Sequence, residues 1–255
     1  MVSFAVDLVH GGRWTSLRTG EREWLWHRPA AGRLAVRPGD AFVDAGGLEE
    51  CLPTVRGTPD HGSVWSRPWR ALPDGSGFVE GPDFTLRRHV AGAGGALVAS
   101  YELTAAPGFR FLWAAHALLD LSPSARVEAP AGLATRVFGL SGRWVAGPWP
   151  APLGTPLDTC GPDDGTATGA ILTDCPQVTV RDGGSLSFTL AAAGQPLSVA
   201  LWRNLRGWPA HAPYRSVGVE PMLGRVFDLA EAGPDDAAVV PAPGVLRWRL
   251  TVSGG

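Results

Sequence analysis

The sequence predicts an all-β protein, a large antiparallel β sandwich, on three observations. Apolar residues recur in short runs with a spacing of two, and abundant Gly (34) and Pro (23) separate those runs. No window longer than about two helical turns carries an apolar stripe capped at both ends. Charged residues make up 18% of the 255, below the usual share of about 25%. That mixture suits many strands joined by tight turns and suits long helices poorly.

Taken in order, residues 22–27 form the first alternating run, which stops at Arg28-Pro29. Residues 85–90 and 96–103 read as a hairpin across Ala91-Gly92-Ala93-Gly94-Gly95, whose glycines supply the backbone angles the loop needs. The run Arg110 to Leu121 is apolar throughout its middle and bounded by turn residues, so it is a strand buried on both faces or a short core helix. Further strands are expected over 135–140, 170–173, 178–180, 185–191, 197–202 and 245–252. Residues 146–168, rich in Pro, Gly and Asp, read as a long loop inside one domain spanning 1–255 rather than as a linker.

Charge and composition narrow the partners. A formal net charge of -2 and a pI near 6.3 give no electrostatic footprint for nucleic acid or an anionic membrane. No apolar run approaches the roughly 20 residues that span a bilayer. The first eight residues lack the basic start and unbroken apolar core of a signal peptide. Cys51, Cys160 and Cys175 form no C-x-x-C pair and leave one over in any disulfide scheme, so a cytoplasmic location is expected.

His116 stands in the middle of the run from Arg110 to Leu121. A buried imidazole must find partners or lose about 1–3 kcal/mol, so His116 has a structural partner or faces a cavity. Two other segments set a titratable residue among Gly, Pro and apolar neighbours: Pro59-Asp60-His61-Gly62 and Val217-Gly218-Val219-Glu220-Pro221-Met222. All three could meet in one pocket. The plainer alternatives are a satisfied core histidine at 116 and a carboxylate at 220 paired with Arg215 or Arg225. Pro221 restricts Glu220 to extended angles, which suggests a strand end.

These segments, with Gly11-Gly12-Arg13-Trp14-Thr15-Ser16-Leu17 and Gly46-Gly47-Leu48-Glu49-Glu50-Cys51-Leu52-Pro53-Thr54-Val55, resemble the aldose 1-epimerase (galactose mutarotase-like) superfamily. The resemblance runs patchily from about residue 11 to residue 225. It implies one large sandwich of two curved antiparallel sheets with a sugar site on the concave face, and an isomerase that interconverts the anomers of an aldose. In that resemblance Glu220 matches the general base, His116 the histidine that protonates the ring oxygen, and His61 a histidine that hydrogen-bonds sugar hydroxyls. Glu50 matches an acid that orients His61 or lines the pocket. Around His116 the chain has Ala114-Ala115 and Ala117-Leu118-Leu119, where many members carry Asn before the histidine and Tyr-Phe-Asn after it. No motif matches the superfamily's sugar-binding aspartate, which leaves Asp120, Asp158 and Asp174 open.

Anomer exchange opens a cyclic hemiacetal: one group takes the proton of the anomeric hydroxyl while another protonates the ring oxygen. A carboxylate and a histidine can do this near neutral pH, each tuned by burial and neighbours. Placed on opposite sides of a pyranose, His116 and Glu220 are expected to share a cavity without touching. Trp65 or Trp69 could meet the apolar face of the sugar, and Arg67 could reach a hydroxyl or a phosphate. The reaction requires no metal, nucleotide or other cofactor. There is no G-x-S-x-G elbow, no phosphate-binding G-x-x-x-x-G-K-[ST] loop and no H-E-x-x-H spacing. Two alternatives stand beside the epimerase: a carbohydrate-binding protein of the same fold without turnover, and a hexose-6-phosphate 1-epimerase.

Overall fold

The computed structural model describes residues 2–138 and 144–255, and the regular structure among them is almost entirely strand. The only helical pieces among the described residues are two 3-10 turns, Arg33–Ala35 and Leu229–Glu231. The expected hairpin is Phe84–Ala93 against Ala96–Ala105, turning at Gly94 and Gly95 with φ of 57° and 84°. Both central residues of such a turn need positive φ, which glycine adopts at no steric cost. The strand expected over 135–140 is found as Ala134–Phe138; Gly139 and Leu140 lie outside the described residues. Residues 22–27 are less regular than expected, since only Arg22–Glu23 forms a strand, followed by single bridges at Leu25 and His27.

Two large sheets are stacked. The first runs Val2–Asp7, Arg13–Thr19, Leu48–Cys51, Trp113–Leu119, Arg215–Leu223, Leu197–Leu205, Thr166–Thr173, Ala134–Phe138 and Trp144–Pro148, with Arg22–Glu23 added beside Arg13–Thr19. The second runs Arg126–Glu128, Gln177–Arg181, Ser185–Ala191, Val245–Gly254, Ala96–Ala105, Phe84–Ala93, Gly77–Glu80 and Arg70–Ala71. Neighbouring strands are antiparallel in both. Side chains alternate between faces with period two, and the inward set of each sheet fills the space between them. Trp14, Trp113, Val199 and Val219 of the first sheet join Leu86, Tyr101, Leu190 and Trp248 of the second in one core.

The run around His116 is a strand, Trp113–Leu119, with all seven residues buried. Trp113, Ala115, Ala117 and Leu119 point into the core between the sheets. Ala114 points the other way, into a smaller cluster with Cys51, Ile171, Ala200 and Met222 on the outer face of the first sheet. By the same alternation His116 belongs to that outer face. It is a strand buried on both sides, and a helical period could not divide these residues between two layers.

Glu220 is not at a strand end. It lies within Arg215–Leu223, a central strand flanked on both sides. Against Leu197–Leu205 the register is continuous, Ala200 opposite Glu220 and Val199 opposite Pro221. Against Trp113–Leu119 it runs from Trp113 and Ala114 opposite Leu223 and Met222 straight to Leu118 and Leu119 opposite Gly218 and Val217. The ladder is thus interrupted where Pro221, which has no N–H to donate, would have paired. His116 and Glu220 stand at that interruption.

Candidate functional site

Strand parity brings His116 and Glu220 to one face. Their side chains meet, with Nδ1 of His116 2.8 Å from Oε1 of Glu220. The contact lies off the direction of a linear hydrogen bond and is best described as an ion pair. The expectation that the two would share a space without touching is therefore corrected. The chemistry accounts for the difference: the anomeric hydroxyl and the ring oxygen are bonded to the same carbon, so an acid and a base serving them can be neighbours rather than opposite walls.

Glycine makes the contact possible. A Cβ at position 218 would overlap Oε1 of Glu220 and stand 3.1 Å from Cβ of Trp202. Two residues apart in a strand, 218 and 220 project to the same side, and only an absent side chain at 218 leaves the carboxylate its place. Trp202, directly across from Gly218, is half-buried at the edge of this face.

The pair is nearly sealed from bulk solvent, His116 being 8% and Glu220 2% exposed. Burial alone would lower the pKa of His116, but the charge of Glu220 against it, with Asp44 and Glu49 adding, raises it to about 9. At neutral pH His116 is therefore an imidazolium beside Glu220, the protonation state required of a general acid.

His61 is brought to the same place. Its ring centroid lies 5.0 Å from that of His116, edge to face. It has φ of 60°, and Gly62 follows with φ of 73° where a Cβ would strike the backbone oxygen of Leu52. This tight left-handed corner turns the imidazole toward His116. Burial lowers the pKa of His61, opposed by Asp60 at 3.2 Å and reinforced by the charge of His116. The two histidines are pushed apart in pKa: one cationic, the other a neutral ring offering one donor and one acceptor.

The other residues expected at a sugar are placed elsewhere. Glu50 is completely buried on the core side of Leu48–Cys51, where it receives hydrogen bonds from Arg88 at 2.6 Å, Tyr101 at 2.9 Å and Trp113 at 2.7 Å. Its oxygens are occupied, so neither pocket lining nor orientation of His61 fits this geometry. Trp69 is a core residue, 4% exposed, with its ring against Gly12 and under the guanidinium of Arg88. Trp65 is buried as well and meets the site only indirectly, through the edge of Phe42 and the guanidinium of Arg33. Arg67 is half-buried and lines a separate cavity of about 220 Å³ with Pro68, Phe78 and Glu80, which none of His61, His116 and Glu220 enters. Asp158 and Asp174 are engaged with Arg126 and Arg225, and Asp120 is exposed.

Several residues at the pair were not anticipated. Glu49, the neighbour of Glu50, pairs directly across from His116 and faces the same way. Arg33, 2% exposed, holds it with contacts of 2.7, 3.0 and 3.1 Å. Burial raises the Glu49 pKa to about 7 against the opposing charges of Arg33 and His116. Phe42 stacks on His61 with centroids 3.6 Å apart and planes within 10°, and presents its edge to His116 at 6.0 Å. Asp44 accepts the hydroxyl of Tyr214, whose ring stacks on Trp26 at 5.2 Å. Among the described residues no group of three or more His, Cys, Asp or Glu is arranged to hold a metal ion.

Comparison with solved structures agrees with this architecture. The chain superposes over its full length on a candidate aldose 1-epimerase from Escherichia coli K12, with a TM-score of 0.72, 15% identity and 96% of that chain covered. A galactose mutarotase-like protein from Lactobacillus casei ATCC 334 matches over the full chain and 97% of its own length, with a TM-score of 0.68 and 15% identity. A galactose mutarotase related enzyme from Lactobacillus acidophilus matches over the full chain and 95% of its own, with a TM-score of 0.68 and 12% identity. No protein-family model and no curated sequence matches the chain. The chain has the galactose mutarotase-like fold, an antiparallel β sandwich.

Proposed function

We propose that the protein is an aldose 1-epimerase-like isomerase, a single-domain enzyme of carbohydrate metabolism acting on the anomeric carbon of an aldose. The observation that carries this reading is the His116–Glu220 contact of 2.8 Å on the outer face of the first sheet. His116, cationic at neutral pH, gives its proton to the ring oxygen while Glu220 takes the proton of the anomeric hydroxyl. The hemiacetal opens, the carbonyl carbon turns about its bond to C2, and closure reverses the two transfers. Because closure reverses both transfers, His116 and Glu220 end each turnover in their starting protonation states, and the pair is reset without solvent. His61, kept neutral, is suited to a sugar hydroxyl. The mutarotase-like proteins of the same fold support the substrate class.

A cytoplasmic location goes with this reading. All three cysteines are free and buried, as a reducing compartment permits, and among the described residues no helix is long and apolar enough to cross a membrane. The test of function is mutarotation of freshly dissolved α-aldoses followed by polarimetry, with Glu220→Gln and His116→Asn beside the wild type. Turnover by the wild type that drops in both variants supports the reading. Wild-type protein that binds an aldose without accelerating its mutarotation would leave a sugar-binding protein instead.

A further inference from the structure

We infer that the segment Phe42–Asp44 is a strap that closes on the sugar, Phe42 covering its apolar face and Asp44 with Tyr214 gripping a free hydroxyl, so that the substrate is an unphosphorylated aldopyranose. The inference rests on the epimerase reading of His116 and Glu220, and it supplies what that reading leaves missing. Both tryptophans expected to form an aromatic platform are buried away from the pair, and none of the expected aspartates reaches it.

The strap lies between the 3-10 turn Arg33–Ala35 and the strand Leu48–Cys51, with no regular ladder over 36–45. Its far end is fixed: Gly46 bridges His27, and Asp44 caps the turn by accepting the Gly46 N–H at 3.0 Å. Phe42 and Asp44 lie two apart in irregular chain, and their contacts with His61, His116 and Tyr214 turn both toward the site. Both are half-buried. Phe42 touches each histidine of the site, parallel to His61 and edge-on to His116. Asp44 reaches Tyr214, the residue just before the strand that carries Glu220. The strap therefore connects to the strand bearing the base on one side and to His61 on the other.

A pyranose cannot reach His116 and Glu220 at their present exposure without displacing something above them. Phe42 is held there by its stack on His61 and by edge contacts to Trp65 and His116, with no strand hydrogen bonds on its segment, and it is the part that can lift. A pyranose entering between His61 and the lifted ring meets an aromatic face suited to its C–H side. Its hydroxyl edge then meets a carboxylate acceptor and a phenol donor. A phosphoryl dianion at that edge would meet the Asp44 carboxylate, a like-charge encounter in a partly desolvated site. Of the cations beside it, Arg28 lies over the Tyr214 ring at 4.3 Å and Arg13 is engaged by the carbonyls of Ala45 and Gly46.

The experiment measures mutarotation kinetics and calorimetric binding for D-galactose, D-glucose and their 6-phosphates on wild-type protein, Phe42→Ala, Phe42→Trp and Asp44→Asn, each checked for an unchanged circular dichroism spectrum. Phe42→Ala is expected to raise KM about tenfold with a smaller change in kcat, and Phe42→Trp to restore much of the loss. Asp44→Asn is expected to raise KM for the free sugar by about tenfold while narrowing the preference over the 6-phosphate. A wild type that turns over a free aldose, with both KM values unmoved in the variants, overturns the strap and leaves the catalytic pair standing. A wild type that prefers the 6-phosphate overturns the substrate class. A wild type that neither binds nor turns over any of these sugars overturns the reading of the pair, and the strap with it.

Discussion

His116 carries a proton at neutral pH because Glu220 lies against it; either partner alone would be costly at this depth. Replacing the proposed base with its neutral isostere, Glu220→Gln, is expected to lower kcat by about 10²–10⁴-fold, the usual contribution of a general acid or base, with a smaller effect on sugar binding. His116→Asn is expected to do likewise, and single-turnover mutarotation assays check both. Gly218 provides an independent handle on the same contact. In Gly218→Ala the added methyl must push the Glu220 carboxylate aside, since the flexible end of that side chain yields more easily than the Cβ of Trp202. We expect a folded protein with a kcat loss approaching that of Glu220→Gln; full activity would show that the carboxylate's position is not critical. The pH profile has a defined alkaline limb. With the His116 pKa at about 9, kcat/KM should fall as pH rises through that value, and the limb should disappear in His116→Asn.

At the scale of elements, the strand Leu48–Cys51 presents one acid to each face: Glu49 to the site and Glu50 to the core. The two should fail differently when altered. Glu50→Leu strands the Arg88 guanidinium, which is 3% exposed, without its carboxylate. Breaking a buried pair in this way costs roughly 3–5 kcal/mol. Urea titration should show a lowered midpoint with an unchanged slope, and whatever protein remains folded should keep its sugar KM. A variant with normal stability and impaired binding would return Glu50 to the site. The neighbouring interruption at Pro221 has the opposite character. It removes ladder bonds in the middle of a sheet, and it does so where two buried charges must approach each other.

For the whole molecule, the raised pKa of His116 is also a statement about stability. A histidine whose pKa is higher folded than unfolded contributes stability that is fully present below its ordinary value of 6.5 and is lost as pH climbs through about 9. The melting temperature should therefore decline over that window more steeply in the wild type than in His116→Asn, as calorimetry can measure. The overall charge of -2 makes a separate prediction: no appreciable binding to a mixed-sequence DNA duplex at physiological salt, checked by fluorescence anisotropy.

The fold class was open to reading because it is a local property. Period-two runs such as Ser185–Ala191 and the Gly94-Gly95 turn carry their structure within a few residues, and the core of the sandwich follows from alternation. His61, His116 and Glu220 could be singled out for the same reason, since a titratable group inside an apolar run is visible wherever it occurs. The sequence left open whether residues 113–119 were strand or helix, because a run buried on both faces has no polar side to show its period. It could not choose between Glu49 and Glu50 either: Leu48, Glu49, Glu50 and Cys51 give each face of the strand one acid and one apolar residue. The meeting of His116 with Glu220, the burial of Trp65 and Trp69, and the arrival of Phe42 over the histidines and of Asp44 at Tyr214 were decided by tertiary structure alone. Each depends on which strands become neighbours and on where an irregular loop crosses a sheet, and both are set by packing between residues far apart in the chain.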